Sequence, residues 1–124
     1  MKSFEFSYYN EKEFEEFLDN LSILDNLSIK EMQKFTETIK NVEEKGFAVS
    51  SRMLWTKKIE GQINLLEVRS KFSSNIIRAP YFHSSNNKYV ITHGFKKKSP
   101  KMPKKELDKA LLRRKLYEQK YGVK

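Results

Sequence analysis

Arg69, Arg78 and His93, with the run Lys96-Lys97-Lys98 close behind the histidine, are the residues whose types and spacing point to chemistry. Arg78 stands among Ile76, Ile77, Ala79, Tyr81 and Phe82, so a cation is embedded in apolar sequence where burial without a partner is costly. It needs an anion. Glu67 or Glu60 would make it half of a cross-strand ion pair, whereas a substrate phosphate would make it a binding or catalytic group. Cations beside an imidazole depress its pKa and favour the neutral base, and His93 is followed after two residues by three lysines. A base among phosphate-binding cations suits attack of an RNA 2′-hydroxyl on the neighbouring phosphate. That reaction needs a base, cations for the negative charge that develops and an acid for the leaving oxygen. It demands no metal and no cofactor. The structural alternative for His93 is a histidine that closes a strand.

Other chemistries find no support in the sequence. It contains no cysteine, which removes thiolate nucleophiles, disulfides and cysteine-ligated metal together. There is no Gly-rich phosphate loop, HExxH motif or serine elbow. The acidic pair Glu15-Glu16 falls on the outer face of an amphipathic stretch, where two-metal or glycosidase chemistry has no footing.

The elements that must position these groups follow from periodicity. Phe4, Phe6 and Tyr8 alternate with polar residues, the period of a half-buried strand. Asn10 and Glu13 have the spacing of a capping box, with Tyr9 and Phe14 as its hydrophobic staple; Phe14, Phe17, Leu18 and Leu21 then form one helical stripe. Ser28 and Glu31, flanked by Leu27 and Met32, repeat the capping pattern. Met32, Phe35, Ile39 and Val42 carry the second helix's apolar face, and Gly46 is placed to end it. Segments 61–72, 75–83 and 88–95 are β-rich and separated by turn formers, predicting an antiparallel meander. Pro80 inside the second segment leaves its register open. In the first, Leu66, Val68 and Phe72 point one way and Glu67, Arg69 and Lys71 the other, one face core and one charged. After Pro100 and Pro103, Leu107, Ala110, Leu111, Tyr117 and Tyr121 share one side of a terminal helix. Leu112 and Leu116 fall on its other side, either as core or as a surface kept for a partner.

At 124 residues the chain has room for one domain with one core, read here as residues 1–124. The fold class is α+β: a small antiparallel sheet packed against an N-terminal helical hairpin and a C-terminal helix. No apolar run approaches a membrane span and no signal-peptide core opens the chain, so the expected location is the cytoplasm. Charge is divided unevenly. Residues 1–62 carry nine Lys/Arg and twelve Asp/Glu, whereas residues 63–124 carry sixteen and four, within a formal net charge of +9. Such a basic half attracts phosphate backbones through counterion release, without sequence preference; the plain alternative is a solvated basic surface.

The ordered series Leu66-Glu67-Val68-Arg69, Ile77-Arg78-Ala79-Pro80-Tyr81-Phe82 and His93-Gly94-Phe95-Lys96-Lys97-Lys98, followed by Pro103 and residues 107–114, resembles the RelE/ParE superfamily of bacterial toxins. Within it the chain is most similar to the HigB-like branch of phage-derived proteins, over roughly residues 54–118. The resemblance implies a RelE-like fold, cleavage of messenger RNA in the decoding site of the ribosome, and neutralisation by an antitoxin carrying a helix-turn-helix domain, as a heterodimer or heterotetramer. By position it implies that Arg69 and Arg78 bind or stabilise the scissile phosphate and that His93 with Lys97 acts in binding or proton transfer. Lys71, Lys96, Lys98, Lys101 and Arg113 are the expected RNA-binding residues, and Leu112 and Leu116 the expected antitoxin contacts. The sequence departs from the RelE pattern twice: Glu67 stands where a lysine is expected, and no tyrosine opens the terminal helix. The general base is thereby left open, with His93 the choice. Two other functions compete: a ParE-like gyrase inhibitor that cuts nothing, and a phage accessory protein that binds nucleic acid without catalysis.

Overall fold

The computed structural model describes residues 2–22, 26–72, 74–99 and 101–122. Two helices, α1 (Glu11–Ser22) and α2 (Asn26–Arg52), follow a short strand β1 (Ser7–Tyr8). Five strands come next, β2 (Thr56–Lys58), β3 (Leu66–Phe72), β4 (Asn75–His83), β5 (Tyr89–Ile91) and β6 (Phe95–Lys97), and α3 (Lys104–Tyr121) closes the chain. The fold is α+β, with a mixed, mostly antiparallel sheet in the order β1-β5-β4-β3-β2.

The two faces of the sheet are covered by different layers. Val68, Ile77, Ala79, Tyr81 and Ile91 turn to one face and pack with Phe14, Leu21, Phe35, Ile39 and Val42 of the helical hairpin. Period-2 alternation sends Leu65, Phe82 and Val90 to the opposite face, where Ala110, Leu107, Leu111 and Tyr117 of α3 cover them. Helix α3 covers only the end of this outer face near Phe82 and Val90. Toward the opposite end the outer-facing side chains include Glu67, Arg69, Lys71, Arg78 and Lys97, with Ile76 and Phe95 among them.

Several local devices differ from the sequence reading. The first strand is only two residues long and runs parallel to β5, Ser7 opposite Val90; the segment before it is stitched to α2, with the Ser3 and Phe4 N–H groups donating to the Glu43 carbonyl. Asn10 Oδ1 caps α1 through the Glu13 N–H at 3.0 Å. The expected staple is made by Tyr8, whose ring lies 4.8 Å from that of Phe14, while Tyr9 packs with the α3 core. Helix α2 starts ahead of Ser28; the side chains of Leu27 and Ser28 lie outside the described residues. Gly46, at φ 80° and ψ 177°, leaves the helical region and ends the first helical stretch of α2 as expected, but a second, short helical stretch follows directly across the kink to Arg52. Glycine tolerates that backbone where other residues would be strained.

The meander is interrupted. β5 and β6 both pair with the same side of β4, at Tyr81↔Ile91 and at Arg78↔Phe95, and residues 92–94 bulge between them. Pro80 lies opposite this gap, its carbonyl accepting the Thr92 N–H at 2.8 Å. Its missing donor therefore falls where the partner strand is broken, which is how β4 holds a proline at the centre of a sheet. Gly94 lies in the same gap because of packing: a Cβ there would stand 2.6 Å from the Phe17 ring. The edge strand β2 follows Leu54, whose φ of 62° is left-handed and costs a non-glycine residue about 1–2 kcal/mol. Tyr121, expected on the core side of α3, is 52% exposed. Among the described residues no helix is long and apolar enough to cross a membrane.

Candidate nucleic-acid interface

The outer face of β3, β4 and β6 brings four of the expected residues, Arg69, Lys71, Arg78 and Lys97, together in two cross-strand rows. Arg69 pairs with Arg78 and Arg78 with Phe95; one step along, Lys71 pairs with Ile76 and Ile76 with Lys97. Adjacent strands are about 4.8 Å apart, so Lys71 and Lys97 flank Ile76 at a backbone separation of about 10 Å. Both lysines are exposed and Arg69 is half-exposed. Among the described residues none of the three forms an ion pair.

Arg78 itself is committed to the interior. It is 1% exposed, and its Nε and Nη2 donate to Glu67 Oε1 and Oε2 at 2.5 and 3.0 Å. Nη1 donates to the carbonyls of Ser99 and Lys101 at 3.2 and 3.1 Å, and the guanidinium lies 5.6 Å from the centre of the Phe95 ring. Of the two anions considered from sequence, Glu67 is the partner. Two like charges directly opposite on a sheet repel, and neutralisation of Arg78 by Glu67 is what lets Arg69 stand next to it. The Arg78–Glu67 pair forms the floor of a cavity of about 450 Å³ whose rim includes Lys57, Lys58 and Lys101.

His93 sits in the gap between β5 and β6 with its side chain 1% exposed. Its Nε2 is 2.9 Å from Glu106 Oε1 in the first turn of α3, its Nδ1 is 2.9 Å from Thr92 Oγ1, and its ring stacks on Phe95 at 5.7 Å. Its pKa is lowered, as expected from sequence, but for another reason. Burial penalises the imidazolium, and Lys109 and Arg113 add to the effect while Glu106 opposes it. The run Lys96-Lys97-Lys98 is not the cause. With both ring nitrogens engaged and no open surface, His93 is not presented to a substrate in this conformation.

The remaining expected residues divide. Lys98 and Lys101 are exposed on the segment leading to α3. Lys96 turns to the opposite face, where its Nζ donates to the buried Glu31 carboxylate at 2.6 Å. Arg113 clamps α3 to α1: Nη1 and Nη2 donate to Glu13 at 2.9 and 2.8 Å, and Nη1 also to the Thr92 carbonyl at 3.0 Å. That pairing draws Glu13 away from its own helix's capping box and holds its carboxyl below the usual range, chiefly through the Arg113 hydrogen bonds. Leu112 and Leu116 are 55% and 41% exposed, so they are surface and not core. The sequence reading missed Lys57 and Lys58 on β2, both exposed; Trp55-Thr56 ahead of them is a β-forming pair that marks a short strand.

Among curated proteins the chain finds no match. The family model described as Phage derived protein Gp49-like (DUF891) matches residues 22–115. The match runs from the last residue of α1 through α2 and β2 to β6 into α3, so it contains both cation rows, the Arg78–Glu67 pair and His93. The chain belongs to this phage-derived Gp49-like family, known as a family of HigB-like toxins.

Proposed function

We propose that this protein is the toxin of a type II toxin–antitoxin pair, a metal-independent endoribonuclease that cuts messenger RNA on translating ribosomes in the cytoplasm. The observation that carries this reading is the open outer face, on which Arg69, Lys71 and Lys97 surround one point of a rigid sheet without internal counterions among the described residues. Unpaired cations held by strands suit a phosphate whose charge grows during reaction. In the cleavage step the 2′-oxygen bonds to phosphorus as the P–O5′ bond breaks; the hydroxyl proton leaves to a base, and the 5′-oxygen takes up a proton. We assign charge stabilisation to Arg69 and Lys71 and proton transfer to Lys97, with Lys98 and Lys101 holding flanking phosphates. Arg78 and His93 act behind them, Arg78 fixing the segment before α3 and His93 holding α3 through Glu106. The face is too open to align a 2′-hydroxyl with its phosphate by itself, so the ribosome supplies that alignment.

The antitoxin expected from the family carries a helix-turn-helix domain and forms a heterodimer or heterotetramer with the toxin. Acidic residues on it would cover the basic face, and Leu112 and Leu116 offer apolar surface for slow release. One observation favours a second reading, a ParE-like gyrase inhibitor: burial of His93 withdraws the residue that most resembled a proton-transfer group. Mapping of messenger RNA ends after induction separates the two. Cuts within translated reading frames, reduced about 10²- to 10³-fold in rate by Arg69→Ala, support the nuclease. Intact messages together with inhibited DNA supercoiling would establish the gyrase reading instead.

A further inference from the structure

We propose that the groove between the C-terminal end of α2 and edge strand β2 is a nucleotide-binding subsite, in which Leu54 packs on one base of a single-stranded RNA while the surrounding cations hold its phosphates. This rests on the nuclease reading and extends its substrate track beyond the cation rows. The groove encloses about 610 Å³, within the range of small-ligand sites. Its described lining includes Lys57, Lys58, Arg69 and Lys71 and no carboxylate, and none of these four forms an ion pair among the described residues. The neighbouring 450 Å³ cavity differs, since Glu60 and Glu67 share its wall. Lys57 and Lys58 line both cavities, and Arg69 belongs both to this groove and to the open face, so one strand of RNA can pass from one to the other.

Leu54 supplies the other half of the argument. It is 72% exposed and lies in the left-handed region at φ 62°, a costly backbone for a leucine whose side chain gains little burial. The turn is held from both sides: the Leu54 N–H donates to the Ser51 carbonyl, the Trp55 N–H to Ser50, and the Arg69 N–H to the Trp55 carbonyl. Strain kept in place by its surroundings concentrates where ligands bind. An exposed aliphatic side chain lining the same groove as four cations matches a base, with its flat apolar face and flanking phosphates, better than it matches an acidic peptide.

The test uses a fluorescent 2′-fluoro RNA hexamer, which cannot be cleaved, and the full chain with Leu54→Gly. Glycine relieves the backbone strain and removes the platform. The variant should melt at or above the wild-type temperature while its Kd for the hexamer rises about five-fold. Lys57→Ala and Lys71→Ala should each reduce the slope of log K against log salt by about 0.7. Wild-type affinity in Leu54→Gly overturns the proposal, as does failure of the wild-type protein to bind the hexamer at low salt. Equal displacement of the hexamer by a glutamate decapeptide, with Leu54→Gly affecting neither, would make the groove a general acid-binding surface and also overturn it. If hexamer binding depends on Leu54 but no message is cut on ribosomes, the subsite stands and the nuclease reading falls. If messages are cut and Leu54→Gly changes neither binding nor cutting, the reverse holds.

Discussion

Every nitrogen of the Arg78 guanidinium is spent inside the protein, two on Glu67 and one on the carbonyls of Ser99 and Lys101. Arg78→Ala would leave the Glu67 carboxylate buried without its counterion, at a cost of about 3–5 kcal/mol. Urea denaturation should show that loss, and a variant as stable as wild type would refute the pairing as a structural element. Replacing both partners with apolar residues of similar volume should cost much less. His93 gives a pH signature. Burial lowers its pKa in the folded protein below the ordinary value of 6.5, so below about pH 6.5 the unfolded chain takes up a proton that the folded one refuses. Stability therefore declines as pH falls through that window and flattens once the folded-state pKa is passed. His93→Gln should remove this part of the pH dependence of melting; an unchanged slope would contradict it. The sequence showed that Arg78 needed an anion and that His93 would favour its neutral form. It did not show which anion, or that burial sets the histidine's pKa, because both depend on which residues other elements bring across the sheet.

The two helices of the hairpin and the principal strands were readable from periodicity, since each buries one face and so carries its own pattern. The pieces that were not readable are those set by distant partners. β1 owes its two residues to β5, the gap between β5 and β6 owes its position to Pro80 and to the aromatic rings of α1, and β2 is too short to show alternation. The gap is testable through Gly94. Gly94→Ala sets a methyl group against the Phe17 ring, and overpacking of this kind costs about 1–3 kcal/mol. Combining it with Phe17→Leu should recover part of the loss, so the double variant is more stable than the two single effects predict by addition. Strict additivity, measured by thermal melting, would show that the close contact is not what selects glycine. In the candidate site, Arg69 and Lys71 were readable because β3 alternates them with apolar Leu66, Val68 and Phe72, whereas Lys97 was found through the lysine run that contains it. Lys96 was misplaced onto the basic outer face because alternation in so short a strand does not say which face is which, and Arg113 because its partner lies a hundred residues earlier at Glu13.

At the scale of the whole molecule, the division between an acidic first half and a basic second half is used partly in cohesion. Glu13 holds Arg113 and Glu31 holds Lys96 across the two halves, and among the described residues the cations that form no ion pair include Arg69, Lys71 and Lys97 of the open face. Leu112 and Leu116 lie outside this arrangement. Leu112→Ser with Leu116→Ser should leave the melting temperature of the isolated chain nearly unchanged, since exposed substitutions away from special features stay within about 0.5 kcal/mol each. It should also speed dissociation of the proposed antitoxin complex; a large loss of stability would show that the two side chains are core. The parallel pairing of β1 with β5 carries a consequence in time. A ribosome adds roughly 5–20 residues per second, so Ser7 and Tyr8 emerge long before Val90 and Ile91, their partners, and Lys97 is later still. Through that interval the nascent chain offers mostly acidic helix and unpaired strand, and its three-cation surface does not yet exist. Under the proposed nuclease activity, the ribosome that makes this protein would be spared until the residues through Lys97 have left its tunnel.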